Sequence, residues 1–302
     1  IQNKDRKVVF ILLDGIPADV LESTETPFLD DISGNKGYTR AYVGGEKGGE
    51  SESPTISAVG YNSLLTGVWA NKHNVWGNSI KAPNYDYWTI FRLAKEHDPN
   101  LKTAIFSTWL DNRTKLIGEG LPETGNLLMD YAFDGFELDT VRFPHDDERQ
   151  YILDIDEMVA TETADYIAAR APDLSWVYLE YTDDIGHKYG DSPQMTNAVQ
   201  LADKQVGRIW ESIKKREARY NEEWLIAITT DHGRTASNGK GHGGQSERER
   251  TTWIVTNHQS LLPSFYQKPG IVDIMPSIVN FLQLDIPETI QEGLDGEPFI
   301  AK

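Results

Sequence analysis

Five short apolar runs that break off at a turn or an acidic residue constrain this chain more than any other feature. They lie at residues 7–13 (KVVFILL), 102–107 (KTAIFS), 175–181 (SWVYLEY), 223–229 (EWLIAIT) and 252–256 (TWIVT). Continuous apolar stretches of this length read as strands buried on both faces. Between them, residues 150–170 and 192–216 have the spacing of long amphipathic helices. Strand and helix in alternation predict an α/β fold, a mostly parallel central sheet with helices on both faces. With 302 residues, 39% of them hydrophobic, the chain can bury one large core, and a single domain over 1–302 is expected. Residues 108–149, rich in Gly, Asp and Pro, read as a lid or insertion over the sheet edge.

Sheets of this kind bind ligands beyond the carboxyl ends of their strands. Six metal-type ligands fall there. Asp14 closes KVVFILLDG, Asp183 and His187 lie in EYTDDIGHKYG, and Asp231, His232 and His242 lie in AITTDHGRTASNGKGHGG. Taken singly, each has an ordinary use: Asp14 as a strand end entering a turn, Asp183 as a helix cap, His242 in a solvated glycine loop. Asp183 and His187 are four apart and share a face if their segment is helical. Asp231 and His232 can reach one ion only if their strand has already ended, which Gly233 permits. Their joint occurrence at successive strand ends points to a two-metal hydrolytic site.

The chain has no cysteine, so every ligand must be oxygen or nitrogen and thiolate chemistry is excluded. A formal net charge of −18 argues against a broad nucleic-acid surface, since such binding rests on Lys and Arg neutralising phosphates. A small anionic substrate stays compatible with it, because bound divalent cations reverse the local field. No apolar run approaches the roughly 18 residues of a membrane span. The opening IQNKDRKVV reads as a trimmed mature end, and an extracytoplasmic location is the expectation.

The stretch SESPTISAVGYNSLLTG offers a nucleophile: after its Pro-Thr turn a helix is predicted to begin near Ser57. A hydroxyl at a helix N-terminus sits where backbone N–H groups stabilise anionic charge, which suits attack on phosphorus. Ser53 and Thr55 are rival hydroxyls, and a plain N-cap is the alternative use of Ser57.

The succession LLDG, a hydroxyl before a helix ending LLTG, DDIGH, TDHGR and GHGG resembles the alkaline phosphatase superfamily, and within it the type I phosphodiesterase and nucleotide pyrophosphatase branch. Laid on the branch's T-x-T-F-P-N-x-x-x-L-x-T-G segment, TISAVGYNSLLTG puts Ser57 at the nucleophile. Twenty-one positions on, where the branch has an Asn that donates to a phosphoryl oxygen, this chain has Asn78. The resemblance implies that one metal is held by Asp183, His187 and His242. It gives the other to Asp14, Asp231 and His232, with the Ser57 oxygen completing the shell. Two divalent ions are implied, zinc first and manganese as the alternative. The closing DIMPSIVNFLQLDIPETIQEGLDGEPF is also similar to the superfamily's last segment.

Several positions depart from the branch. Ser57 stands for Thr, and Ala58, Val59 and Gly60 stand for Phe, Pro and Asn, which alters the wall beside the nucleophile. His242 follows His232 by ten positions, where nucleotide pyrophosphatases carry a long insertion. No C/S-x-P-x-R motif is present, which sets sulfatases aside, and a phosphomutase would need a larger inserted domain than 108–149. The expected activity is hydrolysis of a small phosphodiester or nucleotide pyrophosphate through a phosphoseryl intermediate. A phosphomonoesterase or phosphoryl transferase on the same scaffold, or a non-catalytic metal-binding domain, is the alternative. Trp69, Trp76, Tyr87, Trp88 and Trp109 are candidates to stack on a base or aryl group, against their commoner use in packing.

Overall fold

The computed structural model describes residues 4–302. Seven strands form one sheet: β1 (Asp5–Leu13), β2 (Tyr38–Tyr42), β3 (Thr103–Ser107), β4 (Tyr131–Phe133), β5 (Leu174–Leu179), β6 (Glu222–Thr229) and β7 (Thr251–Thr256). Their order is β2-β7-β6-β1-β5-β3-β4. β1 runs parallel to both neighbours, with Phe10 opposite Trp176 of β5 and Ala227 of β6. β3 is parallel to β5 and to β4, whereas β7 is antiparallel to β6 and β2. The sheet is therefore mostly parallel, as the alternation of strand and helix implies.

The helices of eight or more residues are α1 (Ser57–Thr66), α2 (Ile90–His97), α3 (Gln150–Arg170), α4 (Tyr181–Tyr189), α5 (Pro193–Arg219) and α6 (Ile274–Leu282). Successive residues of β1 feed opposite faces of the sheet, the period of a strand. Val8, Phe10 and Leu12 pack with residues of α1, α2 and α6, while Val9, Ile11 and Leu13 pack with α3 and α5. Both faces of the sheet are thus covered, and a strand buried on both sides must be apolar throughout, as β1 is from Val8 to Leu13. α5 begins where its sequence says it should: Ser192 accepts a hydrogen bond from the Met195 amide, and Pro193 occupies the first turn, where a missing N–H costs nothing.

One expectation needs correction. The fifth strand ends at Leu179, not at residue 181, because Glu180 and Tyr181 already enter α4, their amides received by the buried Asp156 carboxylate. Within residues 108–149 lies an edge strand, β4, which pairs Tyr131 with Ala104 and Phe133 with Phe106. The short strands β2 and β4 were not expected from the sequence at all.

Candidate active site

β6, β1 and β5 are neighbours at the centre of the sheet and point the same way, so whatever follows their last residues meets at one rim. Asp14 follows Leu13, α4 follows Leu179 after one residue, and Asp231 and His232 follow Thr229 after one residue. The chain turns at Gly15, whose φ of 65° is a left-handed conformation that favours glycine. Its amide donates to Asp231 Oδ1 at 3.0 Å, and the Asp14 amide donates to the Leu179 carbonyl at 3.1 Å.

Two groups of three ligands result. Asp14, Asp231 and His232 form a buried one, in which His232 Nε2 lies 3.4 Å from Asp14 Oδ1 and 3.2 Å from Asp231 Oδ2. Asp183, His187 and His242 form the more open one. α4 places Asp183 and His187 one turn apart on the same face, 3.1 Å between Oδ2 and Nε2. His242 Nε2 is 3.1 Å from His187 Nε2, and the His232 and His242 rings stack at 3.6 Å. The Nδ1 atoms of His232 and His242 lie 2.8 Å from the carbonyls of Gly233 and Thr55. A carbonyl only accepts, so both Nδ1 atoms carry a proton and each Nε2 is the nitrogen that faces the ligand groups.

Asp14 Oδ1 and Asp231 Oδ2 are buried and have no hydrogen-bond partner among the described residues. Two such carboxylate oxygens beside an imidazole nitrogen are costly alone and fit a cation. Asp14's other oxygen is taken: the hydroxyls of Tyr61 and Tyr178 both donate to Oδ2, Tyr178 at 2.6 Å. The Thr182 hydroxyl donates to the Asp14 carbonyl. Burial, and then the Asp14 charge, push Asp231 well above the usual carboxylate range. Burial lowers His232, but the carboxylates around it, Asp231 foremost, outweigh this and hold it at about 9. His242 goes the other way, pressed to about 4 by burial and by His232. In Asp183, burial opposes ionisation, yet the hydrogen bond from His187 with the His232 and Arg234 charges holds it below the usual range.

Ser57 is the first residue of α1 and 6% exposed, with Oγ 3.4 Å from His232 Nε2. Ile56, not Ser57, is the N-cap residue, so the hydroxyl is not spent on capping. Its rivals are engaged elsewhere: the Ser53 hydroxyl donates to the Ser51 carbonyl and the Thr55 hydroxyl to the Gly244 carbonyl, 2.7 Å and 2.8 Å away. Asn78 accepts a hydrogen bond from the Ala58 amide at 3.0 Å, which turns the amide so that its oxygen faces the helix. A cleft of about 250 Å³ opens over these groups, lined by Asp14, Ser57, Tyr61, Asn78, Trp109, Tyr178, Glu180 and Asp183.

All eight residues singled out from sequence, Asp14, Ser57, Asn78, Asp183, His187, Asp231, His232 and His242, lie in or beside this one cleft. Of the five aromatic candidates, Trp109 lines it. Trp69 is buried against Tyr42 at 5.5 Å, and Trp88 lies under the Arg92 guanidinium. Tyr61, Tyr178, Glu180 and Arg234 were not foreseen. The first two sit inside apolar segments that read as core, and only the fold turns their hydroxyls onto Asp14. In the closing LDG, Asp295 accepts from the Trp69 amide at 2.8 Å and from Lys72 at 2.5 Å, fastening the turn behind α1.

This sheet, with Asp and His side chains gathered at the ends of its central strands, has the alkaline phosphatase-like α/β fold. The chain belongs to the type I phosphodiesterase/nucleotide pyrophosphatase family, whose model matches residues 8–270. It is 22% identical over 234 residues to an uncharacterised pyrophosphatase/phosphodiesterase of Schizosaccharomyces pombe, covering 75% of this chain and 44% of that protein. It is 26% identical over 191 residues to a venom phosphodiesterase of Crotalus durissus collilineatus, covering 60% of this chain and 21% of that protein. The chain thus spans less than half the length of these curated relatives. Among solved structures, murine ectonucleotide pyrophosphatase/phosphodiesterase 5 superposes with a TM-score of 0.64 at 14% identity, covering 93% of this chain and 96% of that one. The phosphonate monoester hydrolase of Agrobacterium radiobacter gives 0.63 at 14% identity, covering 97% and 76%. At these identities the likeness is one of fold.

Proposed function

We propose that this chain, a hydrolase by its family, cleaves phosphodiester or nucleotide pyrophosphate bonds with Ser57 as nucleophile and two divalent cations, acting as one catalytic domain. The observation that carries the reading is the convergence of two three-ligand groups on the Ser57 hydroxyl at the first turn of α1. Asp183, His187 and His242 would hold one cation. Asp14, Asp231, His232 and the Ser57 oxygen would hold the other. Such ions draw charge from phosphoryl oxygens and make an oxygen acid more acidic. The all-oxygen-and-nitrogen donor set suits zinc, and manganese after it.

The residues themselves do the rest. α1 aims Ser57 Oγ and the positive end of its dipole at the cleft, where charge on a phosphoryl group is stabilised. Ser57 bonds to phosphorus as the leaving oxygen departs, and water then hydrolyses the phosphoseryl ester and regenerates the serine. With its oxygen held by the Ala58 amide, Asn78 keeps its amide N–H groups for a phosphoryl oxygen.

The lining of the cleft supports a diester over a monoester: among the described residues it includes no Lys or Arg to meet the second charge of a monoester. The substrate is a small phosphate ester. The venom relatives support an extracytoplasmic location. Among the described residues, no helix is long and apolar enough to cross a membrane.

The test is hydrolysis of bis-p-nitrophenyl phosphate against p-nitrophenyl phosphate by zinc-loaded protein and Ser57→Ala in parallel. Faster diester turnover that vanishes in the variant is expected. Faster monoester turnover would move the assignment to a phosphatase, and turnover surviving in the variant would remove Ser57 from the mechanism.

A further inference from the structure

Arg234 follows the DHG of the second ligand segment and is 1% exposed. A buried guanidinium needs acceptors for its donors, and these come from three elements. Its NH1 lies 2.5 Å from Asp183 Oδ1 and 3.5 Å from the Gly15 carbonyl. Nε donates to the Gly239 carbonyl and NH2 to the Lys240 carbonyl at 2.9 Å. The backbone is shaped to admit it. A Cβ at Gly186 would stand 2.5 Å from the Arg234 guanidinium carbon, and one at Gly15 2.7 Å from NH1. Glycine in the middle of a helix is destabilising relative to alanine, so its presence in α4 needs a reason such as this one.

The two carbonyls that Arg234 holds lie three and two residues before His242, in the short segment that links it to His232. That segment also closes on itself, Thr235 N–H to the Gly241 carbonyl at 2.8 Å, and is held at points further from His242 by the Asp191 amide at the Asn238 carbonyl and by Arg248 at the Thr235 carbonyl, both at 2.9 Å. The fork therefore spans from Asp183 on α4 to the backbone that carries His242. We infer that Arg234 is the positioning residue of the Asp183, His187 and His242 group: it fixes the distance between the ligand from α4 and the ligand from the loop. The inference rests on the two-metal reading given above. It is the geometry of the fork, not the positive charge, that matters. A lone charge beside Asp183 would weaken cation binding, whereas two carbonyl contacts preorganise the loop.

Zinc titration of metal-free protein tests this, with Arg234→Lys, Arg234→Met and Gly186→Ala alongside the wild type. Lysine keeps the charge and loses the fork; alanine at 186 favours the helix but displaces the guanidinium. Wild type is expected to take up two zinc ions. All three variants should keep one binding event, and the other should weaken by roughly ten- to a hundred-fold, the usual effect of losing an outer-shell partner. Circular dichroism and the thermal midpoint report whether each variant is folded, and Gly186→Ala carries the test if both arginine variants are not. Wild-type-like binding in Arg234→Lys, or tighter binding in Arg234→Met, would show that Arg234 acts as a charge and overturn the inference. Equal weakening of both events would overturn it as well. A wild type that binds no zinc at all would instead overturn the two-metal reading on which it rests.

Discussion

Asn78 shows how one side chain can be tested apart from the helix it touches. Its oxygen accepts from the Ala58 amide, so Asn78→Ala removes both that contact and the donor proposed for a phosphoryl oxygen. Asn78→Asp keeps an acceptor for Ala58 but replaces the donor with a negative charge facing an anionic substrate. Removing one donor to developing charge typically costs 10²–10³ in kcat. On this basis Asn78→Ala should lose roughly 10²-fold in kcat on bis-p-nitrophenyl phosphate. Asn78→Asp should lose more, with zinc content unchanged in both. Equal activity in Asn78→Asp and wild type would mean that the residue only holds α1. Glu180 lies in the same cleft, and burial together with Asp184 and Asp156 holds it well above the usual carboxylate range.

At the scale of the element, α1 is fastened behind the site by His73. This side chain is 0% exposed, and its Nδ1 lies 3.0 Å from the Val75 amide while Nε2 lies 3.0 Å from Ser63 Oγ on α1. Nδ1 accepts from an N–H and so carries no proton, and burial holds the pKa at about 3. Because the folded pKa lies below the unfolded value of about 6.5, the unfolded chain binds the extra proton. The stability His73 contributes is complete above pH 6.5 and falls as pH is lowered through that window, by about 1.4 kcal/mol per unit until about pH 3. His73→Asn, which cannot be protonated, should be less stable at pH 7.5 and show a flatter dependence of thermal midpoint on pH between 6.5 and 4. A slope identical to wild type would place the acid sensitivity elsewhere.

The elements also show what the sequence discloses. β1, β5 and β6 could be read because strands buried on both faces are apolar without interruption, and Ser57 because helix start, hydroxyl and LLTG coincide. β4 has three residues and β2 five, edge strands too short to show a period. The reversal of β7 depends on where the chain re-enters the sheet, which no residue in TTWIVT encodes. Tyr61, Tyr178 and Arg234 escape for a related reason. Their partners are 47, 164 and 51 positions away, and a spacing rule reaches only a few residues along one element.

For the whole molecule, the consequence is that two of its deeply buried acidic groups sit just beyond the ends of its central strands. Asp14 and Asp231 are each 1% exposed, in a chain whose formal net charge is −18, so nothing at long range compensates them. Asp231 is held well above its ordinary pKa by burial and by Asp14. A carboxyl group with a raised folded pKa favours the folded state only while it is protonated, and this contribution is lost as pH rises from its ordinary value. Without metal at pH 8, the group therefore costs stability. Asp231→Asn removes that cost and keeps an oxygen for the Gly15 amide, which now bonds to Asp231 Oδ1 at 3.0 Å. In the presence of chelator at pH 8 this variant should melt at or above the wild-type temperature. Saturating zinc acts in the opposite sense: at a hundred times Kd a ligand adds about 2.7 kcal/mol of apparent stability. Wild type should gain that increment and Asp231→Asn much less, so that the order of the two melting temperatures reverses on metal addition. Melting curves of both proteins with chelator and with zinc decide it. A wild type that is the more stable in chelator, or that gains nothing from zinc, would mean that these two aspartates are not gathered for a cation.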